Sequence, residues 1–368
     1  MATPNSVQFG TASRARVKIS DVAEALGMTK GTVSRALNGY PDIAEATRLR
    51  VRRKAEAMGY RPLAQAQGIR TGRTRTLGLV LQTDKPGAER PFISDFLAGI
   101  TSAASAENWT LTVATSAGGD AMLATMERLV QERKSDGFIL PRTFADDERM
   151  KLLRRMGVPF VLFGRVQDPE GCAWFDILGE DAMRDAVLRL TGLGHRRIGF
   201  VGGAREYNFA HLREEGFREG MKAAGLDVDD ELMLSEAMLR DEGAEATRQL
   251  LSLETPPTAI VFAVDLAALG AYDAARDLGL EIGSDLSIIS YDGIPEGGWA
   301  TPPLTTFSVD SKMAGEHLAR LLIRRVRGEA PEDLRETALA RLQQGGSDGP
   351  PRLTPEHLAC RVLAAGPA

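Results

Sequence analysis

Residues 18–38, KISDVAEALGMTKGTVSRALN, set apolar side chains at helical spacing on either side of a glycine. Ile19, Val22, Ala23 and Leu26 share one face of a first short helix. Gly27 permits a turn, and Thr29 caps a second helix whose Val33, Ala36 and Leu37 face inward. Two short helices packed at an angle across a glycine turn form a helix-turn-helix pattern. The outward face, bounded by Thr29 and Asn38, carries Lys30, Gly31, Thr32, Ser34 and Arg35. Apart from Gly31, these are cationic and hydroxyl groups of the kind that meet phosphates and base edges from a helix in the DNA major groove. Lys30 and Arg35 are the candidates for guanine O6 and N7, whereas Gly31 offers its base pair no side chain.

A third helix follows. Asp42 and Glu45 have capping-box spacing, Thr47, Val51, Ala55 and Met58 form an inward stripe, and Arg48, Arg50, Arg52, Arg53 and Lys54 crowd the outer face. Between Arg14 and Arg75 there are 14 Lys and Arg against 5 Asp and Glu, a local charge of +9 in a chain whose total is -5. The sequence from Thr76 onward is therefore acidic. Such asymmetry is the footprint of one end that binds a polyanion joined to another that does not.

A chain of 368 residues with 43% hydrophobic content predicts more than one domain and a substantial core. It has no uninterrupted apolar stretch of about 18 residues, so no membrane span is expected. Residues 1–16, MATPNSVQFGTASRAR, lack the apolar segment of a secretion signal and read as a disordered arm, a cloning remnant or the result of an upstream start. Cys172 and Cys360 stand far apart without metal-ligand spacing, which suits a reducing cytoplasm.

From Leu77 the chain alternates apolar runs with amphipathic helices, which predicts an α/β fold of parallel sheets covered by helices on both faces. LGLVLQ, WTLTVATS, GFILP and PFVLFGR form one set of strands, and RRIGFVGG, TAIVFAV and DLSIISYDG a second. Two sets imply two lobes, with a small-molecule cleft at the carboxyl ends of their strands. Enzyme motifs are missing. GLGHRR and GGAREYN do not form a dinucleotide fingerprint, and no P-loop, nucleophile elbow, zinc-protease helix or carboxylate pair occurs. The reading is no catalytic residue, no metal and no cofactor, with His195 a structural turn residue.

VKISDVAEALGMTKGTVSRALN resembles the headpiece of the LacI/GalR family of bacterial transcriptional repressors, and the likeness continues through GYRPLAQAQGIRTGRTRTLGLVL into most of the remaining chain. The resemblance implies a homodimer that holds two headpieces over a near-palindromic operator in double-stranded DNA. It also implies a two-lobed effector domain of the periplasmic-binding-protein fold, in which the chain crosses between lobes three times. On this sequence the headpiece would span 17–60, the hinge 61–76 and the effector and dimerisation domain 77–345, followed by a tail at 346–368. The first lobe would comprise about 77–175 and 305–328, the second about 176–304 and 329–345. In the family's hinge an alanine and a leucine wedge into the minor groove; Ala66 and Ile69 occupy those places here, beside Gly68, which costs about 1 kcal/mol of helix propensity.

For the cleft, the resemblance points to Arg213 in NFAHLREEGF as a guanidinium directed at effector hydroxyls or carboxylates. It likewise points to Asp292 in SIISYDG as an acceptor of sugar hydroxyls and to Phe92 in RPFISDF as a cleft residue. Arg165 closes PFVLFGR where a strand delivers its last side chain, and reads as a ligand contact or as an interlobe ion pair. Trp299, on the loop after Asp292, is placed to cover the pocket with an apolar ring. Where the family has a small polar residue or asparagine, this chain has Val264, which makes the pocket more apolar and leaves Asp265 to cap the next helix. The implied effector is an uncharged mono- or disaccharide. PFVLFGR and RPLAQAQGIRTGRTR resemble repressors of α-glucoside use; the alternatives are a purine, an acidic sugar derivative, or a sugar-binding protein without gene control. Gly and Pro interrupt any C-terminal heptad, so a dimer is expected rather than a tetramer.

Overall fold

The computed structural model describes residues 17–60, 73–83 and 90–365 and divides after Thr74 into two units. The first contains α1 (Ile19–Leu26), α2 (Lys30–Leu37) and α3 (Glu45–Ala57). Val22, Ala23, Val33, Ala36, Val51 and Ala55 are its buried centre, ringed by partly buried residues that include Ile19, Leu26, Leu37 and Met58. Gly27 ends α1 at φ 61°, a left-handed conformation that favours glycine. The Thr29 hydroxyl accepts the Thr32 amide at 3.1 Å and so caps α2. The expected capping box of the third helix does not form. Ala44 occupies the N-cap without a side-chain bond, and Asp42, two residues earlier, turns to pair with Arg35.

In the second unit β1 (Thr76–Gln82), β2 (Thr110–Ser116), β3 (Gly137–Leu140), β4 (Phe160–Phe163) and β5 (Ala173–Ile177) begin a first sheet. β6 (Ile198–Val201), β7 (Met233–Leu234), β8 (Ala259–Phe262), β9 (Ser287–Asp292) and β10 (Thr305–Ser308) belong to a second. β11 (Arg335–Ala338) returns to the first sheet and β12 (Arg341–Gln343) to the second. The orders are β11-β5-β4-β3-β1-β2, all parallel, and β12-β10-β9-β8-β6-β7, parallel except for β12. β3 and β8, GFIL and AIVF, are buried along their whole length, as continuous apolar runs covered by helices on both faces should be.

The chain crosses between lobes after β5, after β10 and between β11 and β12, which moves two expected boundaries. β10 aligns Thr305 with Ile289 of β9 and so belongs to the second lobe, although residue 305 was expected to open the return to the first. The return begins with the Ser311–Val326 helix, whose Ala314, Leu318 and Leu322 enter the first lobe's core. β11 pairs with β5 and keeps the first lobe going to residue 338, past the expected limit of 328. The Ser311–Val326 helix lies close against Arg90–Ala106: a Cβ at Gly99 would stand 2.0 Å from the Lys312 carbonyl oxygen, so only glycine permits this approach.

Residues 346–365 are not a free tail. The Ser347 hydroxyl donates to the Ile288 carbonyl at 2.7 Å, Asp348 pairs with Arg189 at 2.5 Å, and the Pro355–Ala365 helix buries Leu358 in the second lobe's core. His195 is built into the same region. Its Nδ1 lies 2.8 Å from the Thr258 hydroxyl and its Nε2 lies 2.9 Å from the Gly349 carbonyl, so it is a buried structural residue.

Candidate ligand cleft and nucleic-acid interface

The lobes enclose a cleft of about 410 Å3 that the carboxyl ends of strands from both sheets reach. Arg213, Asp292, Arg165 and Val264 all line it. Arg213 projects from the Asn208–Ala223 helix with its side chain only 12% exposed. Its Nη1 donates to the Ala263 carbonyl at 2.5 Å, and its guanidinium carbon lies 4.5 Å from the centre of the Phe209 ring. Nη2 stands 3.8 Å from Asp292 Oδ1, close enough for attraction and too far for a hydrogen bond.

Asp292 ends β9 at φ 131°, a conformation strained for any side chain but glycine. The strain is held by its neighbours. Asp265, fully buried, accepts the amides of Gly293 at 2.7 Å and Ile294 at 3.0 Å, and the Thr306 hydroxyl at 2.7 Å. Asp265 thus ties down the loop after Asp292 instead of capping its own helix. Burial pushes the Asp292 carboxyl up to about 7, against the pull of Arg213. Burial also raises Asp265.

Arg165 lines the cleft and also makes the interlobe ion pair. Its Nε donates to Asp176 at 2.6 Å and its Nη2 to Glu180, so it links the end of the first sheet to the first turn of the second lobe's Gly179–Gly192 helix. Trp299 does not cover the pocket. It ends the short Pro295–Trp299 helix at 76% exposed, while Pro295 at the other end of that helix lines the cleft. Phe92 lies in the first turn of the Arg90–Ala106 helix, with its side chain outside the described residues.

Several lining residues were missed in the sequence. Arg142 follows β3 as Arg165 follows β4, so the same strand-end signal applied to it. Phe209 precedes Arg213 by four residues and therefore shares its helical face. Tyr291, Met238 and Leu266 carried no comparable signal. Among the described residues no group of His, Cys, Asp and Glu could hold a metal ion, and no helix is long and apolar enough to cross a membrane.

On the headpiece, Lys30 and Arg35 are exposed on α2, with Thr32 and Ser34 partly exposed between them. Gly31 has open space around it apart from the Thr29 hydroxyl. Arg35 pairs with Asp42 and lies 5.5 Å from the centre of the Tyr40 ring. The Asn38 amide donates to the Ser34 carbonyl at 2.7 Å, closing the end of α2. Ala66 and Ile69 lie outside the described residues.

Residues 18–62 match the family described as bacterial regulatory proteins, lacI family, and residues 187–347 match the periplasmic binding protein-like domain. The HTH-type transcriptional regulator AglR of Rhizobium meliloti (strain 1021) is 33% identical over 342 residues, covering 91% of this chain and 95% of the relative. RafR of Escherichia coli, also an HTH-type transcriptional regulator, is 31% identical over 87% of this chain and 95% of its own length. A solved complex of the transcriptional regulator CelR with cellobiose has a TM-score of 0.70 at 29% identity, covering 90% of this chain and 100% of that one. A Lac repressor dimer bound to operator shares the fold, with a TM-score of 0.74 at 24% identity over 91% of this chain and 100% of its own.

Proposed function

The chain belongs to the LacI family of bacterial transcriptional regulators, sequence-specific DNA-binding proteins controlled by a small molecule, and we propose that its effector is a neutral disaccharide bound in the interlobe cleft. The observation that carries this reading is the charge balance of the cleft. Asp95, Asp176, Asp292 and Asp310 face Arg142, Arg165, Arg213 and Lys312, four of each sign. Arg165 is already occupied by two carboxylates, and Arg213 has Asp292 beside it. With Arg165 and Arg213 so engaged, the cleft has little uncompensated positive charge to repay the desolvation of a sugar phosphate or sugar acid. Phe209, Met238, Val264 and Leu266 supply an apolar wall for the C–H face of a sugar ring, while Asp292 and the Arg213 edge address its hydroxyls. The CelR relative, solved with cellobiose, supports the same class.

In this reading a homodimer acts in the cytoplasm on a near-palindromic operator. The α2 face from Thr29 to Asn38, with Lys30 and Arg35 foremost, reads the major groove, and Ala66 and Ile69 enter the minor groove. Sugar favours the lobe geometry that releases DNA, because an effector shifts an equilibrium only by its difference in affinity for the two states. Thermal shift tests the effector class: a ligand at about 100 times its Kd stabilises the folded state by about 2.7 kcal/mol. Cellobiose, maltose and other neutral glucose disaccharides should include the compounds that raise the melting temperature. Stabilisation by glucuronate, glucose 6-phosphate or hypoxanthine alone would replace this reading.

A further inference from the structure

The loop between β3 and the Glu148–Met156 helix is organised around a buried ion pair that does not line the cleft. The Arg149 and Asp147 side chains are 8% and 1% exposed and meet at 2.6 Å. Arg149 Nε also donates to Asp147 at 2.9 Å, while Nη1 and Nη2 donate to the consecutive carbonyls of Pro141 at 3.1 Å and Arg142 at 2.9 Å. Its guanidinium carbon lies 4.7 Å from the centre of the Phe144 ring. A buried ion pair is offset against its desolvation only where further hydrogen bonds satisfy its remaining groups. Here those bonds go to loop backbone, so the pair dictates the path of residues 141–144. That path includes Arg142 at φ 49°.

The same few residues join the lobes. The Asn208 amide donates to the Thr143 carbonyl at 2.9 Å, the Ala145 amide donates to the Glu206 carbonyl at 2.9 Å, and the Phe144 ring stacks on Tyr207 with centres 5.1 Å apart. Arg142 and Thr143 also line the cleft.

We propose that Arg149 is the positioning residue of the interlobe response: it fixes residues 141–144 as one strap that carries both cleft-lining side chains and the backbone joint to residues 206–208. Through this strap a ligand in the cleft and the geometry of the lobes constrain each other, without Arg149 touching the ligand. The consequence for signalling rests on the effector reading above, whereas the strap is tested without any ligand.

Amide hydrogen exchange on the full-length protein reads the joint directly. A lysine ammonium has no fork with which to hold the carboxylate and both carbonyls. In Arg149→Lys the amides of Ala145 and of Asn208, the latter in the opposite lobe, should exchange at least about tenfold faster while β8 and β9 keep wild-type protection. A residue that merely stabilised its own loop would leave Asn208 unmoved. A lowered melting temperature with both amides at wild-type protection overturns the proposal. Should Arg149→Lys fail to fold, Tyr207→Leu tests the joint from the other lobe, because it removes the stacked ring and keeps the buried pair. It should loosen the same two amides, and wild-type exchange there would equally overturn the strap. Either failure leaves the sugar assignment standing, since the thermal-shift panel does not depend on these amides.

Discussion

The guanidinium carbon of Arg213 lies 3.9 Å from the centre of the Tyr291 ring. Stacking of this kind fixes the plane of the fork, and the bond to the Ala263 carbonyl fixes its rotation in that plane. A lysine has neither a plane to stack nor a second nitrogen to present. Arg213→Lys should therefore lose sugar affinity by about 10- to 100-fold, the range expected for a charge-assisted bond whose geometry is lost. DNA affinity without sugar should stay at the wild-type value. Calorimetric titration with the best sugar of the thermal-shift panel checks this, and undiminished affinity would place the ligand elsewhere.

Asp292 should make the response depend on pH. Its carboxyl is pushed up to about 7 by burial at the end of β9, while about a third of its side chain, 32%, still faces the cleft. In the proposed site sugar hydroxyls donate to the charged form, so affinity for a neutral sugar should rise between pH 6 and pH 8 and flatten in Asp292→Asn. Stability runs the other way. A carboxyl whose folded value lies above its unfolded one stabilises the fold at low pH, and that contribution is lost as pH rises through about 7. The melting temperature of wild type should accordingly fall relative to Asp292→Asn between pH 5 and pH 8. Parallel curves for the two proteins would mean that Asp292 titrates in the ordinary carboxylate range.

Asp265 has three buried or partly buried donors aimed at it and does not line the cleft. Asp265→Ala should cost about 3 kcal/mol or more, because donors left unsatisfied in a buried site each cost about 1–3 kcal/mol. It should also weaken sugar binding by releasing the loop that sets Asp292. Urea unfolding and calorimetry on the same sample separate the two effects; a stable variant with wild-type binding would show that β9 alone holds Asp292 in place.

What was legible in the sequence was whatever local pattern dictates. The three headpiece helices, the Gly27 turn, the Thr29 cap and the long apolar strands all follow from spacing of side chains within a dozen residues. Arg165, singled out by its place at a strand end, and Arg213 and Asp292, singled out by the family resemblance, all line one cleft. Apart from the capping box of α3 and the overlooked Arg142, what failed depended on partners distant in sequence. The two-residue strand β7 and the edge strands β11 and β12 have too little apolar pattern to be read locally, and the lobe boundaries moved because β10 pairs with β9 and β11 with β5. Asp176 lies 11 residues and Glu180 15 residues beyond Arg165, and nothing in PFVLFGR announces that both would take its guanidinium. The C-terminal segment looked like a tail because its ties to His195, Arg189 and Asp285 join residues far apart in the chain.

The last test concerns DNA. Arg35 is held by Asp42 in a half-exposed pair, with side chains 52% and 44% exposed. Such surface pairs are worth about 0–1 kcal/mol, whereas a bidentate contact to guanine discriminates by about 1–3 kcal/mol, so Arg35 is free to leave Asp42 for a base. Asp42→Asn should therefore bind DNA as tightly as wild type or slightly more tightly, since one carboxylate near the phosphates is gone. Lys30 is exposed at the start of α2. Lys30→Ala should cost about 1–3 kcal/mol and relax preference at one symmetric pair of positions in the operator. Fluorescence anisotropy with a palindrome selected from random DNA, and with each of its symmetric base substitutions, measures both variants at two salt concentrations. If Lys30→Ala instead weakens every sequence equally and lowers the salt dependence by about one ion, Lys30 holds a phosphate and Arg35 alone among the two reads a base.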